Sequence, residues 1–144
     1  MNQDKIDIFL KNKRIRIRNF DKERIKALIV SSDSNANAAS SILKINNTAT
    51  IIFREIYESI RQLGDAFWWL LGYEPQDHEI SLEILKELKI EQNVKLNFLD
   101  RFRKIRNDAN YRGFKVSLLQ AEEILDFWNR AGREIINLLN KKLL

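Results

Sequence analysis

The sequence predicts an all-α protein: an up-and-down bundle of four long helices plus one short helix. Three observations lead there. Apolar residues recur at helical spacing through most of the 144 residues. Four Gly and one Pro are too few for the many tight turns of an all-β protein. The breaks between periodic stretches are short, which favours antiparallel neighbours.

Taken in order, residues 1–20 form a basic N-terminal segment that a loose arm, a short helix or one hairpin strand would all fit. The rest, 21–144, reads as a single bundle domain. From Asp21, an N-cap residue, Ile25, Leu28, Ile29, Ala36, Ala39 and Ile42 share one helical side. SSDSNANAASS (31–41) has a linker's composition. The apolar phase continues across it, so a helix with small side chains for close packing is the expectation. A second helix is expected over 48–71, capped by Thr48, with Ile52, Ile56, Ile60, Leu63, Phe67, Leu70 and Leu71 inward. Trp68 and Trp69 flank that stripe, and a solvent-facing Trp there would point to a dimer face.

GYEP breaks the chain at Gly72 and Pro75. DHEISLEILKEL then predicts a short helix with Ile80, Ile84, Leu85 and Leu88 inward. A helix over 91–110 would bury Val94, Phe98, Phe102, Ile105 and Ala109 and stop at Gly113. The last starts at a capping box, Ser117 with Gln120, and runs through Ile124, Phe127, Trp128, Ile135 and Leu138 to Lys141–Lys142.

Composition excludes several chemistries. With no cysteine there is no disulfide or thiolate metal site, and one His rules out a multi-histidine zinc site within the chain. MNQDKIDIF lacks the basic-then-apolar order of a signal peptide, and no apolar run approaches the roughly twenty residues a membrane span needs. A cytoplasmic protein without membrane contact, cofactor or metal is expected. The net charge is +5 and unevenly placed. KNKRIRIR (11–18) has five basic residues, residues 101–115 have six against one acid, and residues 74–91 have six acids against two lysines. Such a chain would hold a polyanion at one end and an electropositive partner at the other.

The segment RKIRNDANYRG (103–113) carries the chemistry. Asn and Asp are poor interior helix residues because their side chains compete for backbone hydrogen bonds. Arg103, Arg106 and Asn110 recur one turn apart beside the apolar stripe, and with Asn107 and Arg112 they offer many donors and few acceptors, which suits a phosphate. The ordinary alternative for Arg106 is a carboxylate on a neighbouring helix. For proton transfer the candidates are Tyr111 and His78. A phenol titrating near about 10 is a poor base at neutral pH, and on an unbroken helix Tyr111 lies about 140° from Arg106. His78 sits between Asp77 and Glu79, whose charges would favour its protonated form. Tyr73 and Glu74 are weaker candidates for the same surface.

RNDANYRG followed by VSLLQAEEILDFWNRAGREII resembles the C-terminal half of HEPN-superfamily domains, whose signature is Arg, usually a polar residue, four to six positions, then His. It is closer to a branch with an Arg-Asn…Ala-Asp-Tyr form. IIFREIYESIRQLGDAFWWLLGYEPQDHE matches the family's central layout of helix, break and His-Glu restart, so the resemblance covers roughly residues 22–140. It implies metal-independent RNA cleavage or its degenerate remnant, with RNA or a nucleotide as ligand. It also implies a homodimer and a toxin role beside a nucleotidyltransferase. The motif position of the family's His is taken by Tyr111. A non-catalytic protein–protein interaction module is the alternative, with Trp68, Trp69 and Trp128 as its contact residues.

Overall fold

Helix α3 (Ala49–Leu70) is the axis of the fold, and the computed structural model, which describes residues 1–144, gathers the other elements around it. In chain order they are α1 (Gln3–Lys11), β1 (Ile15–Ile17), α2 (Lys22–Ser40), α3, β2 (Tyr73–Pro75), α4 (His78–Glu83), α5 (Leu99–Arg112), α6 (Leu118–Phe127) and α7 (Arg133–Lys142). The protein is all-α apart from one short ladder, in which β1 and β2 pair antiparallel with Ile15 opposite Pro75 and Ile17 opposite Tyr73. Helices α6 and α7 form one rod, continuous through a π turn at Trp128–Gly132. The long helices are therefore four, α2, α3, α5 and the α6–α7 rod, with α4 the short one and α1 an addition.

The residues expected to drive each helix do so. Asp21 caps α2 by accepting the Arg24 N–H at 3.0 Å, and Ser32, Ala36 and Ala39 are buried against α3, so the linker-like stretch is helix. The capping box at Ser117 and Gln120 is formed in both directions. Gly113 ends α5 in the left-handed conformation, φ 71°, which glycine adopts without strain.

Other expectations are corrected. Thr48 holds the N-cap position of α3 but makes no cap bond, because its hydroxyl is engaged in the preceding turn by the Ile45 N–H at 3.1 Å. Leu71 is exposed, one residue past the helix end. Residues 93–98 form a 3₁₀ turn before α5, and the change of period leaves Val94 and Phe98 exposed. Trp68, Trp69 and Trp128 are all buried, so no tryptophan marks an outer face. Gly132, mid-rod, lies under Trp128: a Cβ there would meet the indole at 2.9 Å.

Residues 1–20 pack on the bundle. Ile6 and Ile15 join the core, and Phe9 meets Trp68 edge-on at 6.1 Å between centroids. The acids of 74–91, expected to face an electropositive partner, find one in this segment. Lys5 pairs with Glu87, Arg18 with Glu74 at 3.0 Å, and Arg14 with Asp77 at 3.1 Å. No helix is long and apolar enough to cross a membrane.

Candidate anion-binding site

Two elements are anchored to α3 so that one recess forms between them. On one side, α4 is drawn close because α3 has Gly64, where a Cβ would overlap the Ser81 carbonyl oxygen at 1.8 Å. Trp68 donates its indole N–H to the Ile80 carbonyl at 2.7 Å, and Asp65 accepts from the Ser81 hydroxyl. Asp77 caps α4 by accepting the Ile80 N–H at 2.8 Å, while Arg14 donates to both its oxygens at 3.1 and 3.2 Å. His78, first residue of α4, is thereby fixed in place.

On the other side, α5 lies on α3 through Phe102, edge-on to Phe53 at 5.9 Å and to Phe127 at 5.5 Å. Ala109 is buried, and its carbonyl accepts from Arg54 at 3.4 Å. The neighbouring face of α5 presents Arg103, Arg106 and Asn107 to α4. The recess between them has a volume of about 410 Å³ and is lined by Arg14, Asp77, His78, Glu79, Arg103, Arg106, Asn107 and Tyr111.

The sequence candidates thus divide. His78, Arg103, Arg106, Asn107 and Tyr111 line one recess; Asn110 and Arg112 do not. Asn107 is the residue one turn after Arg103 on the recess side, whereas Asn110 is exposed. Arg112 points to solvent, 3.8 Å from Asp108 and 5.5 Å from the Phe114 ring centroid. Tyr73 packs edge-on against Trp68 at 6.2 Å and Glu74 is held by Arg18, both away from the recess.

Arg106 lacks the carboxylate expected of an arginine at a helix edge. Its one side-chain hydrogen bond goes to Asn107 Oδ1 at 3.2 Å. Its Cζ lies instead 5.7 Å from the Tyr57 ring centroid and 5.8 Å from that of Tyr111. The angular separation of Tyr111 from Arg106 along α5 is bridged by two long side chains, with no break in the helix. Arg103 has no carboxylate partner either, and its Nε is buried without a hydrogen bond. The other guanidiniums nearby are neutralised: Arg61 by Glu58 and Asp65, Arg14 by Asp77.

The titrating groups follow this charge balance. Burial, then the charges of Arg61 and Arg106, lower the pKa of His78 and outweigh Glu58 and Asp77. The expected effect of its flanking acids is thus outweighed: Asp77 still favours the charged form, but burial and the two guanidiniums prevail, and both Asp77 and Glu79 also face Arg14. Partial burial of Asp77 opposes ionisation, but the hydrogen bonds from Arg14 and Ile80 prevail and hold it below the usual range. His78 is therefore neutral at neutral pH, with a ring nitrogen able to accept a proton.

Tyr57 was not foreseen. It is buried, its hydroxyl has no hydrogen-bond partner, and its ring stands 6.5 Å from His78 and beneath Arg106. Burial pushes its pKa up to about 12, against the pull of Arg106, Arg103 and Arg61. A signal for its burial was available, since Phe53, Tyr57, Ile60 and Gly64 follow one another at helical spacing.

No group of three or more His, Asp or Glu side chains is placed to hold a metal ion. Among the acids of 74–91, Glu74, Asp77, Glu83 and Glu87 are engaged by Arg18, Arg14, Lys86 and Lys5. What the recess can do is receive an anion: two uncompensated guanidiniums face it, beside a neutral imidazole. No protein-family model, curated protein or solved structure matches the chain.

Proposed function

We propose that this protein binds RNA or a nucleotide through a phosphate seated on Arg106 and Arg103. The observation that carries the reading is a pair of half-buried guanidiniums with no carboxylate partner in one recess with neutral His78. Planar guanidinium donors suit phosphate oxygens, and their charge is uncompensated before a ligand arrives. His78 supplies the acceptor that metal-independent phosphodiester cleavage needs. A 2′-hydroxyl attacks the adjacent phosphorus as its proton passes to the imidazole, and the P–O5′ bond breaks to leave a 2′,3′-cyclic phosphate and a 5′ oxygen that takes a proton from water. Arg106 would stabilise the charge on the phosphorane oxygens. The further parts of the reading rest on the HEPN resemblance: a toxin-type ribonuclease or its degenerate relative, a homodimer, and a nucleotidyltransferase partner.

The test is incubation of the protein with short labelled RNAs in EDTA, beside Arg106→Ala and His78→Gln. Binding should fall at least tenfold in Arg106→Ala, with the fold retained by circular dichroism. Cleavage, where present, should vanish in both variants. Equal RNA affinity in wild type and folded Arg106→Ala overturns the proposal.

A further inference from the structure

The end of α5 next to the recess is unusual in exposing two aromatic rings among cations. Tyr111 is 76 % exposed and Phe114 56 % exposed. Neither is a loose side chain on a flexible end. Tyr111 lies in the last turn of α5 with Arg106 5.8 Å from its ring centroid. Phe114 follows the left-handed turn at Gly113, and its N–H donates back to the Asp108 carbonyl at 3.2 Å. Arg112 stands 5.5 Å from the Phe114 centroid and is largely exposed, with Asp108 at the edge of ion-pair range, 3.8 Å away. Cation and ring thus alternate: Arg106, Tyr111, Arg112, Phe114.

That alternation matches the repeat of one kind of ligand. A single-stranded nucleic acid presents phosphate and base in turn, and proteins that hold it combine a cationic track with aromatic rings on which bases stack. A phosphorylated protein or a free phosphate would use the arginines and leave both rings in water. A duplex would use the arginines and keep its bases paired. Both rings exposed beside both cations favour an unpaired strand.

We propose that Tyr111 and Phe114 are a stacking platform for unpaired bases of a single-stranded RNA whose phosphates are held at Arg106 and Arg112. The inference rests on the phosphate reading above and adds the class of ligand and the residues that read it. Tyr111, at the position of the family's histidine, here binds a base and moves no proton. Base and guanidinium would take opposite faces of its ring. Stacking on every base alike makes the platform tolerant of sequence.

The experiment measures anisotropy of a labelled single-stranded RNA octamer with wild type, Tyr111→Ala, Tyr111→Phe, Phe114→Ala and Arg106→Ala. Inorganic polyphosphate of similar charge serves as a base-free competitor, and the octamer's duplex and its DNA counterpart are run alongside. Tyr111→Ala and Phe114→Ala should each weaken single-strand binding about tenfold, a typical loss for one stacked base. Tyr111→Phe should bind as wild type, and polyphosphate competition should be the same for wild type and Tyr111→Ala. The same dependence on Tyr111 with the DNA strand supports the platform and shows that it does not read the sugar. If Tyr111→Ala and Phe114→Ala bind the octamer as wild type while Arg106→Ala does not, the platform is overturned and the phosphate reading stands. Equal loss of octamer and polyphosphate in Tyr111→Ala also overturns it, since the ring then only positions Arg106. If Arg106→Ala binds as wild type, the phosphate reading itself has failed.

Discussion

At the scale of single residues, the chemistry of the recess turns on how Arg106 is held. A carboxylate would fix a guanidinium and cancel its charge; Tyr57 and Tyr111 fix it between two rings and leave the charge free for an anion. Burial first, then the charge of Arg61 and this free charge, hold the pKa of His78 below its ordinary value. The sign of the pH dependence follows. A histidine that resists protonation in the folded state supports stability above about pH 6.5, the unfolded value, and that support is lost on acidification as the unfolded chain takes the proton first. Binding runs the other way. A bound phosphodiester, singly negative throughout this range, offsets the repulsion from Arg106 and favours the imidazolium. RNA affinity should therefore rise severalfold between pH 7.5 and 5.5, and the rise should be absent in His78→Gln. A titration showing equal pH dependence in both proteins would separate His78 from the ligand.

At the scale of elements, the close crossing of α3 and α4 decides where His78 stands. Gly64 admits the Ser81 backbone at a distance no side chain would allow. Gly64→Ala must push α4 off α3, disturbing the Trp68–Ile80 bond and the buried Asp65–Ser81 contact. A loss on the order of 3 kcal/mol is expected for such overpacking, measurable by urea denaturation, and RNA affinity should fall in the fraction that folds. The helices themselves were legible in the sequence because their signals are local: the cap at Asp21, the capping box at Ser117 and the small-residue phase of α2. What pairs distant segments was not. Ile15 and Pro75 are partners across the ladder: a hairpin strand was one of the forms residues 1–20 fitted, but nothing local chose among those forms or named the partner. The recess has the same character. Arg103 and Arg106 showed themselves by spacing, but their freedom from carboxylates depends on the N-terminal segment's drawing Glu74, Asp77, Glu79 and Glu87 to itself. His78 reached them only through α4's attachment to α3.

At the scale of the whole molecule, a chain of net charge +5 keeps two adjacent guanidiniums uncompensated at one recess. Their mutual repulsion opposes the folded state, so a polyanion that neutralises them should stabilise it. At a concentration one hundred times its Kd, a single-stranded RNA should add about 2.7 kcal/mol to folding, read as a raised melting temperature. Arg106→Ala should remove that gain. Raising salt should diminish it steeply, as several phosphate contacts require. A melting temperature that RNA leaves unchanged at saturation would mean the folded and unfolded chains bind it alike.

The ladder between β1 and β2 has a consequence in time. A chain is synthesised from its N-terminus, so β1 emerges well before Tyr73–Pro75 exist to receive it, a lag of several seconds at about 5–20 residues per second. In that interval Arg14, Arg16 and Arg18 have none of the acids of 74–77 to meet, and Ile15, buried in the finished protein, is bare. The segment Arg14–Arg18 therefore stays an unpaired cationic stretch until β2 arrives, and only then does it become a strand of the ladder.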